Sequence, residues 1–440
     1  MRRLLSFTLI VGLMGCFGCG RGEQAGFGSN HSQKIIKKII LWHWLTDREE
    51  AITELTKRYK GLTGVEVVCE LYAPSNAYSQ KIMAAGQAKS LPDIYGILGE
   101  KRISASFIKA GHISDLTPYM LEDNNAWKNV IFKKALEVNE FLPGNEYGVT
   151  PCIYGVPIDV MNIQMLYNKK LFRDAGLDPE MPPKTWDEFI SVLEKLKGAG
   201  IKGLVAGWGE TWLIDCFAHN YAFNIMGEEK VIETIKGNAA YNDPAWIEVF
   251  KLFDELARKE LLVSGVVSMR NKTAEQLFAN EKAAFTFNGS WCVNVYQGMN
   301  PDLEYAAFLP PAKSSQHPMV IWGDAGTSFM VNPSSGSKDE SIRFLRWLTQ
   351  KEQQTFLAAE TLNLPANRES LDDVPLMLAQ FADDMDNVTH PNILPVQENP
   401  KVIEAFTKGI QAIIIGMKTP QEIADEVQSV KERVMQEVAP

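Results

Sequence analysis

The chain has 440 residues, 44 of them Lys or Arg and 54 Asp or Glu, giving a formal charge of -10. Hydrophobic residues make up 45% and charged residues 22%, which argues against wholesale disorder, a collagen-like repeat and a polytopic membrane protein. At roughly 150 residues per domain the length suggests two or three domains. An acidic chain without a basic patch repels phosphate backbones, so no nucleic-acid partner is expected.

Arg2 and Arg3 precede a mostly apolar run from Leu4 to Phe17. That run is too short to cross a hydrocarbon layer of about 30 Å as a helix. Its charge pattern predicts an export signal over residues 1–15. The run closes on Leu13-Met14-Gly15-Cys16, which resembles the lipobox of bacterial lipoproteins. The resemblance implies cleavage before Cys16 and a lipid on its thiol; Cys19, after Gly18, is the alternative. Residues 16–34 would then be the lipidated cysteine and a flexible tether rich in Gly, Ser, Gln and Asn. For the folded part, Cys69, Cys152, Cys216 and Cys292 remain. Either they pair, with three connectivities open, or they are small buried thiols.

Lys34 to Trp44 is β-branched and apolar, which predicts a strand. Thr46-Asp47-Arg48-Glu49 has capping-box spacing, and Ile52, Leu55 and Tyr59 follow at helical intervals. Gly61 and Gly64 should end that helix. Val65 to Leu71 alternates as a second strand, and Leu91-Pro92-Asp93-Ile94-Tyr95 opens a third. Strand, helix, strand, helix, strand predicts a parallel sheet with right-handed crossovers. Further helix starts are read at Thr185-Trp186-Asp187-Glu188, Asp243-Pro244, Ser337-Lys338-Asp339-Glu340 and Thr419-Pro420-Gln421-Glu422.

Familiar catalytic patterns are missing from the sequence. The six histidines form no HExxH or HxH, and no nucleophile elbow, dinucleotide fingerprint or phosphate loop occurs, so neither a metal nor a cofactor is expected. What the chain offers is tryptophan at turns. Trp44 closes the first strand, Trp208 and Trp212 flank Glu210, Trp291 follows Asn288-Gly289-Ser290, and Trp322 precedes Gly323-Asp324. Trp186, Trp246 and Trp347 sit on helix patterns and read as core. In open α/β sheets ligands bind beyond strand carboxyl ends, where an indole face beside a carboxylate or amide suits a sugar ring.

The stretch Tyr154-Gly155-Val156-Pro157-Ile158-Asp159, with Leu166-Tyr167-Asn168-Lys169-Lys170-Leu171-Phe172 and Pro183-Lys184-Thr185-Trp186-Asp187-Glu188-Phe189, resembles the signature of extracellular solute-binding proteins of ABC importers. That group includes maltose-binding protein. Leu91 to Ile94, Asp115 to Pro118, Ala279 to Trp291, Phe344 to Phe356 and Gly416 to Glu426 continue the resemblance in order. It implies an α/β, two-lobed periplasmic-binding-protein-like fold (type II) whose lobes are joined by crossing hinge strands. Carried over by position, one lobe spans 35–160 plus 330–365 and the other 161–329 plus 366–440. The family's ligand positions fall on Trp44, Asp47, Glu100, Asp159, Met161, Glu210, Trp212, Trp291, Gly323 and Asp324; Ile97 and Met161 depart from residues common in relatives.

The expected function is a lipid-anchored receptor at the cell envelope. It captures a sugar or oligosaccharide by lobe closure and delivers it, unchanged, to a membrane permease. It is expected to act as a monomer and not as an enzyme. A polyamine, a sugar acid or a glycerol-phosphate type of solute is the alternative guest, and an exported glycoside hydrolase the alternative class.

Overall fold

The computed structural model describes residues 37–98, 101–391 and 393–438. The signal segment, the tether with Cys16 and Cys19, and Glu100 lie outside the described residues.

Twelve strands are assigned among the described residues: β1 (Lys38–His43), β2 (Glu66–Leu71), β3 (Ile94–Gly96), β4 (Glu140–Phe141), β5 (Cys152–Ile153), β6 (Val156–Asn168), β7 (Leu204–Val205), β8 (Phe285–Gly289), β9 (Tyr305–Phe308), β10 (Ile321–Val331), β11 (Leu364–Pro365) and β12 (Val388–Thr389). β1 runs parallel to both β2 and β3, as the strand–helix alternation predicts. The main path is β2-β1-β3-β10-β6-β8-β7; β9 and β11 also pair β6, and β12 pairs β10. β10 is antiparallel to both β3 and β6.

Apolar side chains gather into separate cores. One holds Ile39 and Leu41 of β1 with Ile52 and Leu55 of the first helix, and a neighbouring one holds Tyr78, Tyr95 and Phe107. The largest surrounds Phe189, Phe217, Phe253, Phe285 and Phe406. β6 and β10 run between them. Val156 and Ile158 belong to the first core while Val160 and Ile163 belong to the largest; on β10, Phe329 and Val331 belong to the first and Ile321 and Trp322 to the largest. A strand buried along its length reads as a continuous apolar run, so its sequence does not show where one core gives way to the next.

The helix starts divide. Thr185 accepts from the Glu188 N–H (3.3 Å) while the Glu188 carboxylate accepts from the Thr185 N–H (3.2 Å), and Thr419 with Glu422 does the same at 3.3 and 2.8 Å. Asp243 accepts from the Ala245 N–H at 2.9 Å ahead of Pro244. The box expected at Thr46 does not form. The helix begins at Glu49 with Arg48 at its N-cap, because the Arg48 side chain is drawn inward to Asp159. Gly61 lies inside this helix, which ends at Thr63, so Gly64 alone marks its end. Ser337 makes no cap; its hydroxyl donates instead to the Lys38 carbonyl (2.9 Å).

Trp186 and Trp246 are fully buried, as their helical positions predict. Cys69, Cys152, Cys216 and Cys292 are free thiols, so the unpaired alternative is the one observed. Burial raises the Cys69 thiol to about 12, and holds the Cys216 and Cys292 thiols well above the ordinary thiol range.

Candidate functional site

A cavity of about 450 Å³ lies where the cores meet. Trp44, Ile97, Leu98 and Lys101 line one side; Trp322, Asp324, His219, Tyr241, His390 and Phe406 line the other; Met161, Gly326 and Ser328 come from the two crossing strands. Trp44 is held in place by local geometry. Its ring packs at a 45° tilt against Tyr78 (4.9 Å) and covers Gly96, where any Cβ would stand 2.5 Å from the indole. The Tyr78 hydroxyl accepts from the Gly96 N–H (2.9 Å) and donates to the Gly96 carbonyl (3.0 Å), which locks strand end and ring together.

Trp322 stands opposite in chain terms, on β10. Two imidazoles meet it edge-on: His219 at 5.9 Å and 88°, His390 at 5.4 Å and 85°. Each imidazole has its own carboxylate. His219 Nδ1 is 3.1 Å from the Asp215 carboxylate, one helical turn away, and His390 Nε2 is 3.1 Å from Asp324. Burial pulls the His219 imidazole down, but Asp215 outweighs it and holds the group above its ordinary value. Burial lifts Asp324 to about 8 and presses His390 down to about 3. That pair therefore keeps one proton through neutral pH and presents no net charge.

The remaining charges are also paired. Glu398 accepts from the Tyr241 hydroxyl (2.9 Å) and from Lys431 Nζ (2.8 and 2.9 Å), and Lys431 also donates to the Ile235 carbonyl. Burial lowers Lys101 to about 8, opposed by Glu140 and Glu137, and its ammonium donates to the Glu137 carbonyl at 3.1 Å. Three carboxylates, Asp215, Asp324 and Glu398, thus line the cavity beside aromatic faces, each with a base at hydrogen-bond distance. Such a wall stacks on apolar ring faces and hydrogen-bonds hydroxyls, and it offers no uncompensated charge.

Of the residues singled out from sequence, the structure brings Trp44, Met161, Trp322 and Asp324 to this cavity, with Gly323 beside them in register with Asn162. Glu210, Trp212, Asn288 and Trp291 form a separate cluster. Glu210 accepts from the Asn271 N–H (3.0 Å) and from Trp212 Nε1 (3.2 Å), and the Trp212 and Trp291 rings lie 5.9 Å apart with Trp212 42% exposed. Asn288 is buried and donates to Glu275 at 3.1 Å. Three more take other places. Trp208 is wholly buried between Phe217 and Phe253 at 5.4 Å each, because its strand end turns into the largest core. Asp159 is buried against Arg48 and lines no part of the cavity. Asp47 is exposed and takes Arg48 Nε (3.2 Å) and Asn363 Nδ2 (3.3 Å).

His219, Tyr241, His390, Glu398 and Phe406 were not anticipated. Asp215 and His219, four apart on one helix, are a readable signal. His390 and Glu398 lie on an irregular segment between β12 and the helix Pro400–Ile414, where no periodicity points anywhere.

Residues 44–355 match the family of bacterial extracellular solute-binding proteins. A multiple sugar-binding protein of Streptococcus mutans is 23% identical over 267 residues, 59% of this chain and 59% of that protein, so the match spans less than two thirds of that relative. An uncharacterised ABC transporter extracellular-binding protein of Pyrococcus horikoshii is 22% identical over 441 residues, 96% of this chain and 94% of that one. The GacH receptor of Streptomyces glaucescens has the same fold, with a TM-score of 0.70 at 17% identity over 92% of this chain and 100% of the receptor. Among the described residues no helix is long and apolar enough to cross a membrane. With its parallel β1–β3 unit, its two crossing strands and a cavity between cores, this chain has the two-lobed type II α/β fold and belongs to the bacterial extracellular solute-binding proteins.

Proposed function

We propose that the protein is the substrate-binding component of an ABC importer, and that it captures a neutral sugar or oligosaccharide between its lobes and passes it on chemically unchanged. The lobes are residues 35–160 plus 330–365 and 161–329 plus 366–440. One observation carries this reading: aromatic faces from both sides enclose the cavity while each carboxylate on its wall already has a basic partner. A polyamine would need unpaired carboxylates, and a phosphorylated polyol an unpaired cation cluster, so a neutral polyol fits better. The sugar-binding relative supports the same class of guest. A guest that touches both lobes favours the closed state over the open one, and this difference in affinity is the whole of the work required; no bond is broken.

The Trp212–Trp291 pair with Glu210 is a second stacking face, serving a longer sugar. Residues 1–34 supply export and, through Cys16, a lipid anchor at the cell envelope, and the receptor works as a monomer that docks on its permease. Calorimetry with mono- and oligosaccharides, polyamines and glycerol phosphates tests the proposal. Binding of a neutral sugar without turnover is expected; saturable binding confined to a polyamine would sink it. Incorporation of labelled fatty acid, lost on Cys16→Ser, tests the anchor.

A further inference from the structure

Asp159, Arg48 and Gly326 meet where one core gives way to the other. On β6 the change falls between Ile158 and Val160. At the intervening Asp159, β6 is flanked on both sides: the residue is in register with Thr327 of β10 and with Pro365 of β11. Opposite it, the β10 register shifts twice, between Ala325 and Thr327 and between Thr327 and Ser328. A Cβ at Gly326 would come 2.6 Å from the Asp159 carboxylate, so the backbone closes directly over it. Three segments therefore pass from lobe to lobe side by side at one level.

Arg48 reaches into this level from the start of the helix Glu49–Thr63. Its guanidinium pairs with Asp159. It also donates from Nη1 to Thr327 Oγ1, from Nη2 to Asn363 Oδ1 and from Nε to Asp47 Oδ2, each at 3.2 Å. One planar fork thus touches β6, β10 and the residue preceding β11, which a point-charge ammonium could not do. Arg48 does not line the cavity.

We propose that Arg48 is a positioning residue of the interlobe hinge, whose fork sets how far the lobes stand apart in the absence of a guest. The inference rests on the closure reading given above. Hinges concentrate their dihedral change in a few residues, and the irregular stretch Ala325–Ser328 is the place on β10 where that change fits. Rotation there carries Thr327 relative to Arg48, Asp159 and Asn363, so the fork keeps its full set of acceptors over a narrow range of angles. Loosening it spreads the resting ensemble, and apparent affinity follows the fraction of molecules able to close.

Spin labels attached through p-acetylphenylalanine at exposed Leu62 and Met417 report lobe separation in the full chain. Arg48→Lys keeps a charge facing Asp159 and removes the fork; Asn363→Ala removes one arm and stands in if the first variant does not fold. Both should widen the ligand-free distance distribution, Arg48→Lys more, and sugar affinity should fall several-fold. Distributions superimposable on the parent's overturn the proposal whatever the melting temperatures do. A parent whose separation no bound sugar changes overturns the closure reading and this inference with it, so the two failures are distinguishable.

Discussion

Two buried aspartates lie within a few residues of each other on the paired crossing strands and do different things. Asp159 on β6 is 5% exposed and faces a guanidinium whose charge is permanent. Asp324 on β10, in register with Met161, is 4% exposed and faces the imidazole of His390. The first sits among fixed donors where β6 passes from one core to the next, outside the cavity. The second lines the cavity, shares a proton with a titrating partner and flanks an indole. The contrast teaches that a buried carboxylate takes its role from its partner: a permanent cation makes a clasp, a titrating one makes a charge-neutral wall.

The largest way to break this contrast is at the clasp. Arg48→Met leaves Asp159 buried without its cation and should cost about 3–5 kcal/mol in chemical denaturation, because the lost partner leaves a desolvated charge. Next comes the cavity. Trp44→Ala should weaken sugar binding by on the order of 2 kcal/mol, about thirtyfold by calorimetry, since it removes a central aromatic face. Trp291→Ala should weaken long oligosaccharides more than short ones, if the outer pair is a second stacking face.

The titrating pair predicts a pH profile. Asp324 is raised in the folded state to about 8 from 3.8, and His390 lowered to about 3 from 6.5. Between roughly pH 4 and 6.5 both the folded and the unfolded pair hold one proton, so the pair contributes no slope. From 6.5 to 8 the unfolded pair has released it and the folded pair keeps it, so stability should fall as pH rises, by up to about 1.4 kcal/mol per unit. Urea midpoints across that window should fall for the parent and flatten in Asp324→Asn. The smallest effect belongs to Asp47→Asn, an exposed arm of the clasp, which should change stability by less than about 1 kcal/mol.

Much of the fold was legible. The β1–helix–β2–helix–β3 order is a local matter of apolar period and turn residues, and the Thr185 and Thr419 boxes formed because nothing else claimed their side chains. The site was legible in part. Trp44, Trp322 and Asp324 were read as candidates because they close or flank strands, and the structure brings all three to the cavity. Trp208 carried the same signal and went into the core, since indole at a strand end suits either surroundings. His390 and Glu398 carried no signal, because they come from an irregular segment delivered to the cavity by its two ends.

Hydrophobic period and turn residues were enough to determine an α/β fold, because such patterns act over one or two turns of chain, and the resemblance of its ordered motifs pointed to the solute-binding proteins. Only the tertiary structure decided that Asp159 sits where β6 passes from one core to the next and Asp324 in the cavity. The partners that distinguish them, Arg48 and His390, lie 111 and 66 residues away in sequence, and long-range pairing of charges leaves no trace in a local pattern.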